Sequence, residues 1–212
     1  MAAIIEWLDH WQTMLGAIFG GLIALIAALI VALAQTRRER RTAAMLVFSD
    51  LLAIVTAAQN LHTLAADSNV SDEKYPRWLA EKLSLRRPKI SPYFEAEMVR
   101  LLDVDVSLAA HLHLFRISFS IVEDRVLDLK GTFTEDSSRS PGAVKKPSQR
   151  DSDDFESIAT ELDRAAGHAD YAIHYLEKLV LSKMPTVSRL RMSLCRYPIE
   201  KKSREVLKTG QI

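Results

Sequence analysis

Apolar and polar positions along this chain change period several times, and each change marks an element. From Met14 to Ala34 the run MLGAIFGGLIALIAALIVALA carries no charge for about 21 positions, the length a helix needs to cross a bilayer. After an arginine cluster, Val47, Leu51, Ile54, Ala58, Leu61 and Ala65 recur at alternating spacings of four and three. That is the seam of a packed helix or coiled coil, so the spacing predicts a helix over about Thr42 to Ala66 that continues the membrane helix. The stretch DSNVSDEKY (67–75) is polar turn material, and Pro76, Pro88 and Pro92 leave at most a short helix through Trp78 to Leu85.

At Ser91-Pro92 a helix can start, Ser as a good N-cap and Pro tolerated at the first helical position. Phe94, Met98, Leu101, Leu108, Leu112, Phe115, Phe119, Val122 and Val126 then line one face, which predicts a helix as far as Lys130. The following TFTEDSSRSPGAVKKPSQRDSD (132–153) buries too little to offset the entropy of ordering and reads as a mobile linker. A last amphipathic helix starts near Asp153 or Asp154, whose charges suit an N-terminus. It places Phe155, Ile158, Leu162, Ala166, Ala169, Ile173, Leu176 and Val180 on one face and ends at Pro185. No useful period-2 alternation occurs.

The expected fold class is therefore all-α, with one N-terminal transmembrane helix continuing into a cytoplasmic antiparallel bundle of about three long helices. The expected organisation is an external segment 1–13, a membrane helix 14–35, a first part of the bundle 36–130, a disordered linker 131–153, a bundle helix 154–184 and a basic tail 185–212.

Flanking residues orient the span. A cleaved signal peptide wants a positive start and a shorter apolar stretch, whereas residues 1–13 hold Glu6 and Asp9 and no Lys or Arg. Arg37, Arg38, Arg40 and Arg41 follow the run and hold that end in the cytoplasm, so the N-terminus is expected outside. Trp7 and Trp11, four apart, place both indoles on one helix face at the outer interface. Within the span Gly16, Gly20, Ala24, Ala28 and Ala32 form a small-residue stripe that would admit a second helix. A second span over AAMLVFSDLLAIVTAA is disfavoured by Asp50, which costs roughly 2.5 to 3.5 kcal/mol at a helix centre.

Composition narrows the chemistry. The net charge of +1 conceals a segment, Lys183 to Ile212, with eight basic residues against Glu200 and Glu205. Such a tail either lies on an anionic leaflet or is solvated. The single cysteine, Cys195, allows no intrachain disulfide and suits a reducing compartment. No P-loop, GxGxxG, GxSxG, HExxH or CxxC element occurs, and the paired Glu-x-x-His spacing of di-metal bundles is absent, so no catalytic residue, cofactor or metal is expected. His111 and His113, two apart, point to different sides of a helix. Asp170, His174 and Glu177 lie along one stripe that reads as a solvated face. Asp105 falls inside an apolar stripe, and a carboxylate facing a core needs a partner, with His62 or Arg116 as candidates. A His62–Asp105 pair would act either as a register-fixing contact or as a buried polar switch.

The opening EWLDHWQTMLGAIFGGLIAL, followed by RRERR and AAMLVFSDLLAIVTAA, resembles a group of uncharacterised bacterial single-span inner-membrane proteins with a Trp-Gln-Thr entry and an arginine-rich stop. The resemblance covers roughly the first quarter of the chain. It implies a bacterial inner membrane and no functional residue. The expected function is a non-enzymatic, membrane-tethered helical interaction or scaffold module, with the small-residue stripe as a route to self-association. The expected partners are the lipid bilayer and a protein or second copy, with no nucleic acid and any small ligand unknown. Two alternatives stand beside it: a transmembrane sensor whose helix packing answers a ligand or proton, and an enzyme with a site in the bundle core.

Overall fold

The computed structural model describes residues 2–138, 149–182, 187, 190, 192 and 198–210, with side chains described for fewer. Its elements are α1 (Ala2–Asp67), α2 (Tyr75–Leu85), α3 (Phe94–Val99), α4 (Val106–Ser138), α5 (Gln149–Leu176), a π-helical turn (Glu177–Leu181) that follows α5, and α6 (Pro198–Thr209). No strand occurs among the described residues. The chain divides into two compact units, Met1–Thr42 and Ala43–Ile212, and α1 contributes to both.

In the first unit, α1 runs unbroken through the apolar stretch and the arginines. Ile18, Phe19, Leu22, Ile23, Leu25, Ile26, Leu29 and Ile30 are all exposed. A helix of this length and composition is long and apolar enough to cross a membrane.

The second unit has two packed clusters. One joins Val47, Leu51 and Ile54 of α1, Phe94 of α3, Leu108, Leu112, Phe115 and Phe119 of α4, and Ala165, Ala169 and Ala172 of α5. The other joins Ala58 of α1, Leu79 and Leu83 of α2, Val122 and Val126 of α4, and Phe155, Ile158 and Leu162 of α5. The four-and-three seam of α1 is thus its buried face, from Val47 to Ala65. Phe94 packs at a tilt on Phe115, which stacks on Phe119, with centroids 5.6 and 5.8 Å apart. Along α4 and α5, His111 meets His168 and Arg125 meets Asp154.

Caps explain the boundaries. Past Asp67, the Val70 N–H reaches the Ala65 carbonyl and the Asn69 N–H reaches that of Ala66. Asn69 takes the left-handed conformation (φ 49°) that this Schellman closure requires. Asparagine tolerates that region better than other side chains. Pro76 sits in the first turn of α2, where its missing N–H costs nothing.

Several expectations are corrected. The helix expected from Ser91-Pro92 to Lys130 is two helices, α3 and α4, because the chain breaks at residues 100–105. The break is stabilised by Asp105, whose Oδ1 accepts from the N–H groups of Ser107 (2.8 Å) and Leu108 (3.2 Å), an N-cap to α4. Helix α4 then continues past Lys130 to Ser138, and α5 begins at Gln149, so both ends of the expected linker 131–153 are helical and only 139–148 lie outside the described residues. The helix expected over 154–184 starts earlier and passes into the π-helical turn, while Pro185 and Cys195 lie outside the described residues. Part of the expected tail 185–212 is folded. Helix α6 buries Ser203 and Val206, exposes Lys201, Lys202, Arg204 and Lys208, and closes at Gly210 (φ 68°), whose N–H bonds the Val206 carbonyl at 2.8 Å.

Candidate functional site

The packing of five helices brings polar side chains together at two places. The first is fully buried. On α4 the sequence LAAHLHLF turns His111 onto the same side as Leu108, Leu112 and Phe115 and leaves His113 exposed. Opposite it, α5 offers Ala165, Ala169 and Ala172, small residues that leave room for rings, with His168 among them. His111 Nδ1 lies 3.0 Å from His168 Nδ1, and His111 Nε2 lies 2.7 Å from Ser203 Oγ of α6. Tyr175 Oη lies 3.1 Å from the same hydroxyl. The His111 ring also faces Tyr171, with centroids 4.9 Å apart.

Electrostatics keep this cluster uncharged. Burial, and then the neighbouring His168, push His111 down to about 4. His168 is lowered by burial and by Arg164, with Glu161 opposing. His174, lowered by burial and Lys178 against Glu177 and Asp170, lies 4.0 Å from the buried Glu200 of α6. In the neutral state one Nδ1 of the histidine pair carries a proton and the other is bare, so the two rings are opposite tautomers at that nitrogen.

The order serine, histidine, histidine is that of an activated nucleophile with its base and an orienting group. Ser203, however, is 1% exposed and His111 is 0% exposed. The cavity of about 400 Å³ between α1 and α2 is lined elsewhere, by Leu61, Leu64, Trp78 and Lys82 among others. Among the described residues, Ser203 Oγ is enclosed by its neighbours and opens to neither this cavity nor the surface. What the cluster does is hold α6 onto α4 and α5 through the hydrogen bonds that join Ser203 to His111 and Tyr175, and His111 to His168.

The second place is half-exposed. His62 Nε2 donates to Asp163 Oδ1 at 2.9 Å, and the Tyr75 hydroxyl donates to His62 Nδ1 at 3.0 Å. The His62 and Tyr75 rings stack 5.4 Å apart, and Tyr75 stacks on Trp78. Burial and the Asp163 charge push the Tyr75 phenol up to about 12, so it stays a donor at neutral pH. The trio pins the end of α1 to α2 and α5.

The expected His62–Asp105 switch is therefore corrected: His62 is engaged by Asp163 and Tyr75, whereas Asp105 caps α4. Arg116 is engaged elsewhere too, 2.9 Å from Glu95 and 3.4 Å from Glu123. Asp50, raised by burial and lowered by a bond from the Ser91 N–H, accepts that bond at 3.2 Å. Trp7 and Trp11 are exposed neighbours on one face of α1, with centroids 5.7 Å apart. Gly16, Gly20, Ala24, Ala28 and Ala32 are exposed, and nothing lies within 4 Å of a Cβ placed on either glycine. Arg37, Arg38 and Arg41 are exposed and Arg40 is half-buried. Among the described residues, no three His, Cys, Asp or Glu side chains converge to hold a metal ion.

The buried histidine cluster was missed by sequence reasoning. The available signal was the spacing of His111 from Leu108 and Phe115, which puts it on the buried side, together with the alanine-rich face around His168. No family model, curated protein or solved structure matches the chain.

Proposed function

We propose that this chain is a membrane-tethered helical interaction module, in which residues 14–35 cross a bacterial inner membrane with the N-terminus outside. The residues beyond form a cytoplasmic antiparallel bundle that binds itself or a partner protein without catalysing a reaction. The observation that carries this reading is the exposed apolar stretch of α1, from Met14 to Leu33. A soluble helix would not leave so much apolar surface uncovered. The meetings of His111 with His168 and of Arg125 with Asp154 support helices running in opposite directions, as a bundle requires. The arginines after the run support an inside C-terminus. The stripe from Gly16 to Ala32 supports self-association within the membrane.

A second reading, a sensor, is favoured by the buried histidine pair that anchors α6, since protonation there alters helix packing. Topology is tested first. In intact cells Cys195 should resist a membrane-impermeant thiol reagent and should react after permeabilisation, with a denatured sample controlling for burial. Labelling in intact cells would place the folded unit outside and overturn the proposal.

A further inference from the structure

Between Met45 and Leu64 the outward side of α1, within the second unit, departs from the charge density of the chain. The chain is 26% charged, so the eleven exposed positions in this stretch would ordinarily carry about three charges. They carry no Asp, Glu, Lys or Arg. Met45, Ser49, Leu52, Thr56, Gln59 and Thr63 recur at spacings of four and three, opposite the buried seam, and all are exposed. Leu46, Ala53 and Asn60 flank them at heptad intervals, with Met45, Leu46 and Leu52 each about half-exposed. Helix α1 thus has two seams back to back, one filled by its own unit and one open.

We propose that the open seam pairs with the same seam of a second copy, as a parallel, in-register two-helix contact. This rests on the membrane tether proposed above. Three features select a second copy. Hydroxyl and amide groups hold donors and acceptors together, so Ser49, Thr56, Gln59 and Thr63 are complementary to themselves, whereas charged groups would not be. The same amides and hydroxyls are poorly suited to lipid hydrocarbon. Two chains anchored by their N-terminal segments in one membrane present this stretch in the same chain direction, which makes parallel pairing the available one. The seam is about 27 Å by 10 Å, far smaller than the roughly 800 Å² per partner of a free-standing interface. Confinement to the membrane supplies the effective concentration that this area alone lacks.

The test uses the full chain in its native membrane with Cys195→Ser as background, and copper phenanthroline as oxidant. A disulfide needs Cα atoms about 5.5–6 Å apart, which seam positions of a parallel pair provide. Leu52→Cys and Gln59→Cys should give disulfide-linked dimer, and Glu156→Cys, exposed on α5, should give none. Adding Thr56→Lys to Leu52→Cys should abolish the dimer while helix content stays unchanged. Cross-linking by Ala28→Cys without Leu52→Cys would overturn the seam and leave membrane self-association standing. Leu52→Cys shielded from a water-soluble thiol reagent yet not cross-linked would assign the face to lipid or to another protein and overturn the second copy. Cross-linking at none of these positions overturns the seam as well.

Discussion

Acidification should loosen α6 in two steps, because the His111–His168 pair has room for one extra proton and not for two. With one added, the charged ring donates across the 3.0 Å gap to the bare Nδ1 of the other, and the contact survives. With two, N–H faces N–H and the rings must part. Both rings are held below the ordinary histidine value, His111 at about 4, so the ring that also holds Ser203 takes a proton only in strong acid. Both groups bind protons more readily in the unfolded chain, so stability rises with pH across this window. Their contribution is complete above the unfolded value of 6.5 and is lost as pH falls through the folded values. For His111 the interval from 6.5 to about 4, at about 1.4 kcal/mol per unit, gives about 3 kcal/mol. Histidine side-chain NMR on the full-length protein, with hydrogen exchange of the α6 amides from pH 7 to pH 4, reads both steps. His111→Gln should flatten the dependence. Six histidines all titrating near 6.5, or α6 protection unchanged by pH, would refute the argument.

Other perturbations have equally definite expectations. Ser203→Ala removes the hydroxyl shared by His111 and Tyr175 and leaves both buried partners short, so denaturant unfolding should show a loss of about 1–3 kcal/mol. Asp105→Ala should cost about 1 kcal/mol through the lost cap of α4. Asp105→Asn should be nearly neutral in the same assay, where a buried switch would respond strongly to either change. Asn69→Gly should raise stability by a few tenths to about 1 kcal/mol, since glycine takes the left-handed position without a Cβ; a thermal melt showing a loss would refute that account.

The sequence made α1 and its buried seam legible because a four-and-three apolar spacing has one helical explanation. It also located the polar connector after Asp67 and the apolar face of α5. It hid the break between α3 and α4, since Leu101 and Leu108 are seven apart and keep the helical register across the turn. The same break disguised Asp105, whose position within an apolar stripe reads as inward when the helix is assumed continuous. The histidine cluster was illegible for another reason. Its members lie 57 and 92 residues apart, on three helices, and periodicity within one helix carries no information about which polar groups meet across helices. Charge composition misled in the tail, where four basic residues on the outer side of α6 obscured the burial of Ser203 and Val206.

The bond between Ser203 and His111 also bears on the order of assembly. Joining residues 92 apart in sequence closes a long loop for a single contact, and that cost is offset only once the helices between them have packed, so this contact is expected to close after the helices and their local packing exist. A contact absent from the folding transition state is felt in the opposite direction of travel. Weakening it with Ser203→Ala should therefore leave the refolding rate nearly unchanged and speed unfolding. The hydroxyl's weight is then kinetic: it sets how long the folded unit lasts once made, and stopped-flow measurement of both limbs would reveal it.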